Sequence, residues 1–356
     1  MVTLGVIADV QWADEEDGFN YLKTVKRCYR GAVETLGIAV DFWSAQDAPP
    51  KFIAQLGDLL DGRNAKPGNS KAALDVAMGH FARTQIGAVH VVGNHELLNF
   101  TKVECRTNFA SALNPSGKEY HSFVVGGVKF MVLDSFQENI ILPGRPDITD
   151  ATKIEITQTA GFKNALAGLQ ANNPNDVLSG ANWMKGLEGM NKRWMPFNGG
   201  LGAEQLEWLK SELAESKAAR QPVVIMSHVP FHYGACDGFT FIFDYEAALK
   251  AIDESGVVVA VLCGHDHRGG YCCSEGGVHH VTFQSPLNKG TDGYAYGLVT
   301  VFPDKLEIKG IALEDWLPYG KHENGTPLPG SDVLPKPQPT ADGKMQFIEL
   351  PVTMQA

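Results

Sequence analysis

No apolar run in the 356 residues approaches the roughly 18 consecutive apolar residues of a membrane-spanning helix, so a transmembrane protein is excluded as an expectation. Positive charge is in short supply. Thirty Lys and Arg face 41 Asp and Glu, for a net charge of −11, and proteins that hold nucleic acid normally gather basic surface to neutralise phosphates. Nucleic acid is therefore not an expected partner. Cysteine is scarce and scattered: Cys28, Cys105, Cys236, Cys263 and the adjacent Cys272-Cys273 show neither zinc-finger spacing nor a disulfide framework. A reducing, cytoplasmic setting follows as the plainer reading. Met1-Val2-Thr3-Leu4 runs directly into an apolar strand, so a basic leader is not expected from these residues. Internal repeats are also missing. What remains is 44% hydrophobic and 20% charged, the composition of a globular protein with a sizeable core.

Short apolar runs suited to buried strands alternate with helical spacing. Leu4 to Ala8 and Phe52 to Leu56 read as strands, with helical periodicity over Tyr21 to Phe42 between them. A helix over Lys71 to Thr84 precedes a strand at Ala88 to Val92. His121 to Val125 and Val128 to Asp134 flank Gly126-Gly127, a strong hairpin signal. Helices at Ala203 to Ser216 and Phe243 to Ser255 lead into strands Val223 to Met226 and Val257 to Cys263. Val278 to Gln284, Ala295 to Phe302 and Lys305 to Leu313 read as further strands, the last two joined at Pro303-Asp304. The pattern implies two packed sheets with helices outside. Residues 144–202, rich in Trp and Met, interrupt it and read as a helical insertion or cap. Residues 1–317 are expected to form the main domain, and 318–356 a proline-rich irregular arm.

Five segments place metal-binding side chains directly after an apolar strand: Asp9-Val10-Gln11, Gly57-Asp58 through Asp61-Gly62, Gly93-Asn94-His95-Glu96, Ser227-His228, and Gly264-His265-Asp266-His267. Polar groups outside the carboxyl ends of strands are where α/β folds build sites. The mixture of carboxylate, amide and imidazole suits Mn²⁺, Fe or Zn²⁺ better than Ca²⁺. Glycines before Asp58, Asn94 and His265 read as allowing tight turns and close approach to a bound anion.

In order and spacing these segments resemble the calcineurin-like metallophosphoesterases, whose pattern is D-x-H, GD-x-x-D, GNH-E/D, H and GH-x-H. Only the first departs, with Gln11 where most members have histidine. Asp9-Val10-Gln11 with Asp17-Gly18-Phe19-Asn20, Phe197-Asn198-Gly199-Gly200, and Gly264 to His267 with Gly269-Gly270-Tyr271 further resemble the manganese-dependent ADP-ribose/CDP-alcohol diphosphatases. That family carries glutamine at this position, so the departure becomes an agreement.

The resemblance implies an α/β four-layer sandwich: two mixed sheets face to face, helices outside, metals at one edge. It implies two divalent ions, Mn²⁺ first, with Fe, Zn²⁺ or Mg²⁺ as alternatives. Asp9, Gln11, Asp58 and His267 would hold one ion; Asp58, Asn94, His228 and His265 the other, with Asp58 bridging. Such a pair clamps the attacking and leaving oxygens of an in-line displacement and acidifies a water. His95 would stabilise charge beside the phosphate together with Asn94, and Asp61 would orient His95 by accepting its other ring proton. The implied substrate is a small phosphate or nucleoside diphosphate derivative, and the implied reaction is hydrolysis of a phosphoanhydride. A phosphomonoesterase or cyclic phosphodiesterase is the alternative within the superfamily, and a non-catalytic scaffold the alternative outside it. Arg63, Asn64, His232, Tyr233 and His280 are weaker candidates, for which ordinary packing or solvated-loop roles stand beside functional ones. Oligomeric state is not legible.

Overall fold

The computed structural model of the chain describes residues 1–114, 116–180, 182–311, 313 and 336–352. Its strands are β1 (Val2–Ile7), β2 (Gly18–Phe19), β3 (Lys26–Arg27), β4 (Phe52–Gln55), β5 (Ala88–His90), β6 (His121–Val125), β7 (Val128–Val132), β8 (Val223–Met226), β9 (Val258–Cys263), β10 (Gly270–Cys273), β11 (His279–Thr282), β12 (Tyr296–Val301), β13 (Lys305–Gly310), β14 (Gln338–Pro339) and β15 (Gln346–Pro351). The helices are α1 (Tyr29–Ser44), α2 (Ser70–Phe81), α3 (Asn94–Asn99), α4 (Lys102–Asn108), α5 (Asp150–Gln158), α6 (Ala160–Asn172), α7 (Gly202–Ala218) and α8 (Tyr245–Ser255). One sheet runs β14-β15-β13-β12-β1-β4-β5 and the other β10-β11-β9-β8-β7-β6. Both are mixed: β1, β4 and β5 are parallel, as are β7, β8, β9 and β11, while their outer neighbours pair antiparallel.

Alternation along the strands makes the four layers. Val2, Leu4 and Val6 of β1 face the second sheet, where they share a core with Phe130, Val224 and Leu262. Phe52 meets Phe130 edge to face with ring centroids 4.9 Å apart; burying such a ring stabilises by about 1.5–3 kcal/mol. The opposite face of β1 turns to α1. A side chain at Gly5 would stand 2.8 Å from the Trp43 indole, whose Nε1 donates to the Gly297 carbonyl at 2.8 Å. Glycine there lets the largest side chain of α1 lie flat on the sheet. α2 packs beside α1, and α7 and α8 cover the second sheet.

The hairpin β6–β7 turns at Gly126 and Gly127, with φ of 57° and 84°, the left-handed pair that a two-residue turn demands. The helix expected over Tyr21 to Phe42 begins only at Tyr29, because the β2–β3 hairpin takes the earlier residues. Asn20 Oδ1 accepts from the Thr24 and Val25 amides at 2.8 and 3.1 Å, closing a turn that competes with helix. Strand β10 and helices α3 and α4 fall where periodicity is too short to declare them. The C-terminal arm also needs correction. Residues 318–335 and 353–356 lie outside the described residues, but β15 pairs in register with β13 from Lys305↔Pro351 to Gly310↔Gln346, and β14 pairs with β15. Ile348 and Leu350 alternate into the inter-sheet core, which offsets the cost of ordering this stretch. Within 144–202, Phe162, Ala165 and Leu169 of α6 form a small apolar cluster with Val177 and with Ile140 and Phe243 from outside the segment, against which Ile156 of α5 packs. Among the described residues no helix is long and apolar enough to cross a membrane.

Candidate metal centre

The parallel strands of both sheets end at one edge of the sandwich. β1, β4 and β5 release Asp9, Asp58 and Asn94 there from one sheet; β8 and β9 release His228 and His265 from the other. The two sides are stitched together by backbone and side chain. His228 Nδ1 donates to the Leu56 carbonyl at 2.8 Å, and the His265 amide donates to Asp9 Oδ2 at 2.9 Å.

The backbone at these positions is held in an uncommon conformation. Asp9, Gln11, Asp58 and His265 have φ of 52°, 45°, 55° and 68°, the left-handed region that costs an L-residue about 1–2 kcal/mol. Surrounding hydrogen bonds impose it. The Asp9 amide donates to the Gly57 carbonyl at 3.0 Å and the Gln11 amide to the Asp58 carbonyl at 2.8 Å. The Glu96 carboxylate accepts from the amides of Asp58, Leu59, Leu60 and Gly93 at 2.7, 2.7, 3.2 and 2.8 Å, fixing the loop that carries Asp58. Burial, then the neighbouring Asp58, raises Glu96 to about 7.

The glycines preceding the side chains in question serve these side chains themselves. A Cβ on Gly57 would lie 2.4 Å from His228 Nδ1, one on Gly93 2.1 Å from Asp58 Oδ1, and one on Gly264 2.5 Å from Asp9 Oδ2. Each clears space for a side chain from a different segment.

The expected ligands converge. Asp58, His228 and His265 bring one ligand atom each to within 4.8 Å of one another. Asn94 Oδ1 lies 3.2 Å from His228 Nε2. On the other side of Asp58, Gln11 Nε2 is 2.9 Å from Asp58 Oδ2 and 3.0 Å from His267 Nε2, and His267 Nε2 is 3.4 Å from Asp9 Oδ1. A half-turn of the Gln11 carboxamide exchanges its nitrogen for its oxygen at the same point.

Two features show that this donor set fits cations. Asp9 Oδ1 is buried and accepts no hydrogen bond. His228 Nε2 and His265 Nδ1 face each other at 3.2 Å, while their other nitrogens are committed as donors to the Leu56 carbonyl and to Asn198 Oδ1. Two bare imidazole nitrogens repel unless a positive species lies between them. Burial by itself would lower His228, yet the Asp58 and Asp9 carboxylates raise it to about 9. Asp58, although burial opposes its ionisation, is held well below the usual carboxylate range by His228 and His95. Burial and the adjacent His228 keep His265 well below its ordinary value. In the protein alone, a proton on His228 does what a cation would do.

His95 stands at the rim, Nε2 3.9 Å from Asp58 Oδ2. Its Nδ1 accepts from the Gly62 amide at 2.8 Å, with Asp61 Oδ2 at 3.4 Å. Nδ1 is thus engaged by the Gly62 amide rather than donating to Asp61, which leaves Nε2, toward the centre, as the only ring nitrogen able to donate. Asp61 Oδ1 instead accepts from the Arg63 amide and shapes the turn that presents Gly62.

The weaker candidates have other occupations. Asn64 donates inward to the Trp12 and Asp61 carbonyls at 2.7 and 3.0 Å. Arg63 reaches Tyr29 and Glu15, not the centre. His232 Nδ1 accepts from the Gly234 amide at 3.0 Å, and His280 packs beside the His232 ring with centroids 5.0 Å apart. Tyr233 stacks on His232. Sequence reading missed Arg27, whose Nη1 sits 2.6 Å from His267 Nδ1 and 3.4 Å from Gln11 Oε1. A lone arginine before a helix carries no signal. Glu96 and Asn198 lay within quoted motifs, yet their roles depend on which amides and rings the fold brings to them.

The calcineurin-like phosphoesterase profile matches residues 2–269. The chain is 32% identical over 330 residues to the manganese-dependent ADP-ribose/CDP-alcohol diphosphatase of Xenopus laevis, spanning 87% of this chain and 88% of that protein. Against the Homo sapiens protein of the same name it is 33% identical over 328 residues, spanning 87% and 90%. A crystal structure of a dimetal phosphatase from Danio rerio superposes with a TM-score of 0.79 at 26% identity, covering 99% of each chain.

Proposed function

Because the chain belongs to the calcineurin-like phosphoesterase family, we propose that it is a manganese-dependent hydrolase of nucleoside diphosphate derivatives of the ADP-ribose and CDP-choline type. The observation that carries this is the confronted pair His228 Nε2 and His265 Nδ1, 3.2 Å apart beside the Asp58 carboxylate. Asp9, Gln11, Asp58 and His267 would hold one cation and Asp58, Asn94, His228 and His265 the other. The buried Asp9 Oδ1, which accepts no hydrogen bond, and the convergence of the Gln11 carboxamide with Asp58 and His267 support that division. Bound there, the cations supply Lewis acidity toward phosphoryl oxygens and an acidified water as nucleophile.

The chain's own residues orient the substrate and move the proton. His95, held by the Gly62 amide, presents an Nε2–H to the phosphoryl or leaving oxygen. Asn94 and His95 together line the phosphate position. A diphosphate leaves as a phosphate monoester, a good leaving group that needs little protonation. Gln11 supports the manganese reading, since a neutral amide oxygen favours harder ions than imidazole does. The net charge of −11 argues against nucleic acid as a partner. The thiols of Cys105, Cys236, Cys263, Cys272 and Cys273, none in a disulfide, support a cytoplasmic setting.

The test is a substrate panel with added Mn²⁺: ADP-ribose, CDP-choline, a cyclic nucleotide and an aryl phosphate monoester. Turnover of the diphosphates is expected. Turnover of the monoester alone would sink the substrate class and leave the centre standing. Asp58→Asn should cut turnover at least about 100-fold with loss of bound metal, more than removal of an outer partner costs; unchanged function in that variant would mark a scaffold.

A further inference from the structure

We infer that Asn198 is a positioning residue that sets the tautomer of His265 and ties the 189–198 segment to the metal centre. The inference rests on the two-cation reading above.

Asn198 is fully buried. Its Nδ2 donates to two carbonyls, Arg193 and Phe239, each at 2.8 Å. Carbonyls only accept, so the carboxamide cannot turn over without losing two hydrogen bonds and setting oxygen against oxygen. Oδ1 is thereby forced toward His265 Nε2, at 2.7 Å. An acceptor there requires the proton of the neutral ring to sit on Nε2. Nδ1 is left bare and aimed at the Asp58–His228 pocket. Partners of this kind orient ligating histidines, and their loss typically costs 10–100-fold in metal affinity.

The two carbonyls belong to different segments, and those segments are locked to each other. Arg193 Nε donates to the Phe243 carbonyl at 2.9 Å, and Trp194 stacks on Phe243 with centroids 4.8 Å apart. Asn198 is where this assembly meets a ligand. A displacement of the 189–198 segment would therefore reach His265 through one side chain.

The test compares wild type with Asn198→Leu, close in shape but without hydrogen bonds, and Asn198→Asp, which keeps the acceptor and loses the donors. Free Mn²⁺ is followed by electron paramagnetic resonance during titration of the metal-stripped proteins, with melting temperatures in EDTA alongside. Asn198→Leu should weaken one of the two Mn²⁺ sites by about 10–100-fold and leave the other within about threefold. Asn198→Asp should bind Mn²⁺ within about threefold of wild type even where it melts lower. Equal weakening of both sites, or affinities in the two variants that simply follow their melting temperatures, overturns the inference. A direct reading needs no variant: ¹⁵N-histidine spectra of the stripped wild type must show His265 as the Nε2–H tautomer, and the Nδ1–H tautomer overturns it. A wild type that binds no Mn²⁺ would remove the metal-centre reading and this inference with it, whereas two intact sites in Asn198→Leu would remove this inference alone.

Discussion

Gly93 and Asp58 are packed so closely that a Cβ on the first would lie 2.1 Å from Oδ1 of the second and 2.6 Å from its amide nitrogen. Real Cβ atoms do not approach other atoms to such distances, so one of the two loops must move. Asp58 is also gripped from behind by Glu96, and has little freedom to retreat. The arrangement places the Asp58 carboxylate at the mercy of a residue on a neighbouring strand end.

Gly93→Ala should therefore lose Mn²⁺ binding and destabilise the protein by about 1–3 kcal/mol, the range for overpacking. Gly79→Ala is the matched control. It lies in α2 with nothing within 4 Å of its would-be Cβ, and should stabilise by about 0.5–1 kcal/mol. Urea unfolding with and without Mn²⁺ measures both; equal behaviour of the two variants would refute the packing argument.

His228 holds a proton in the protein without metal, its value raised to about 9 after burial is outweighed by Asp58 and Asp9. With His228 as a ligand, as proposed, a cation would bind only once that proton has left. Apparent Mn²⁺ affinity should thus rise about tenfold per pH unit over the neutral range and level off near pH 9, with about one proton released per binding event. Calorimetric titration in buffers of different ionisation enthalpy counts the protons. Affinity independent of pH between neutrality and that value would contradict the proton stand-in.

His95 has only Nε2 left as a ring donor, because Nδ1 accepts from the Gly62 amide, and in the proposed mechanism Nε2 is the acid. Its removal should matter in proportion to how badly the leaving group needs a proton. In His95→Gln, hydrolysis of poorly leaving substrates should fall by about 10²–10⁴-fold, the range for a general acid. Diphosphate hydrolysis should fall by less. A Brønsted plot of kcat/KM against leaving-group pKa, steeper in the variant, is the measurement; parallel lines would deny the acid role.

His90 is buried between Phe81 and Phe109, ring centroids 5.0 and 5.5 Å away, and burial pushes it down to about 4. Its folded value lies below its unfolded one, so the unfolded chain takes up the proton first. The contribution to stability is complete above about pH 6.5 and is lost as pH falls toward about 4, an effect on the order of 3 kcal/mol. His90→Phe keeps a ring in the pocket and should flatten the acid limb of stability in EDTA by that amount. An unchanged limb would mean that other groups carry it.

The candidate ligands were legible because their types and order are local facts. Asp9, Asp58, Asn94, His228, His265 and His267 each follow an apolar run, and a strand's end announces where its next residue emerges. Gln11 was legible only by resemblance, since a glutamine by itself signals nothing. The strands β1, β4, β8 and β9 and the β6–β7 hairpin declared themselves through apolar runs and Gly126-Gly127. Nothing local announced that Gly57 makes room for His228, that Glu96 collects four amides, or that Asn198 decides which nitrogen of His265 is bare. Those relationships join residues from different segments, and only the closing of two sheets against one edge brings them within hydrogen-bond reach. The same holds for β15, whose hydrogen bonds and apolar partners belong to β13 and the inter-sheet core rather than to its own neighbours in the chain. Composition and motif order determined the kind of chemistry; packing across the sandwich decided which atoms are free to perform it.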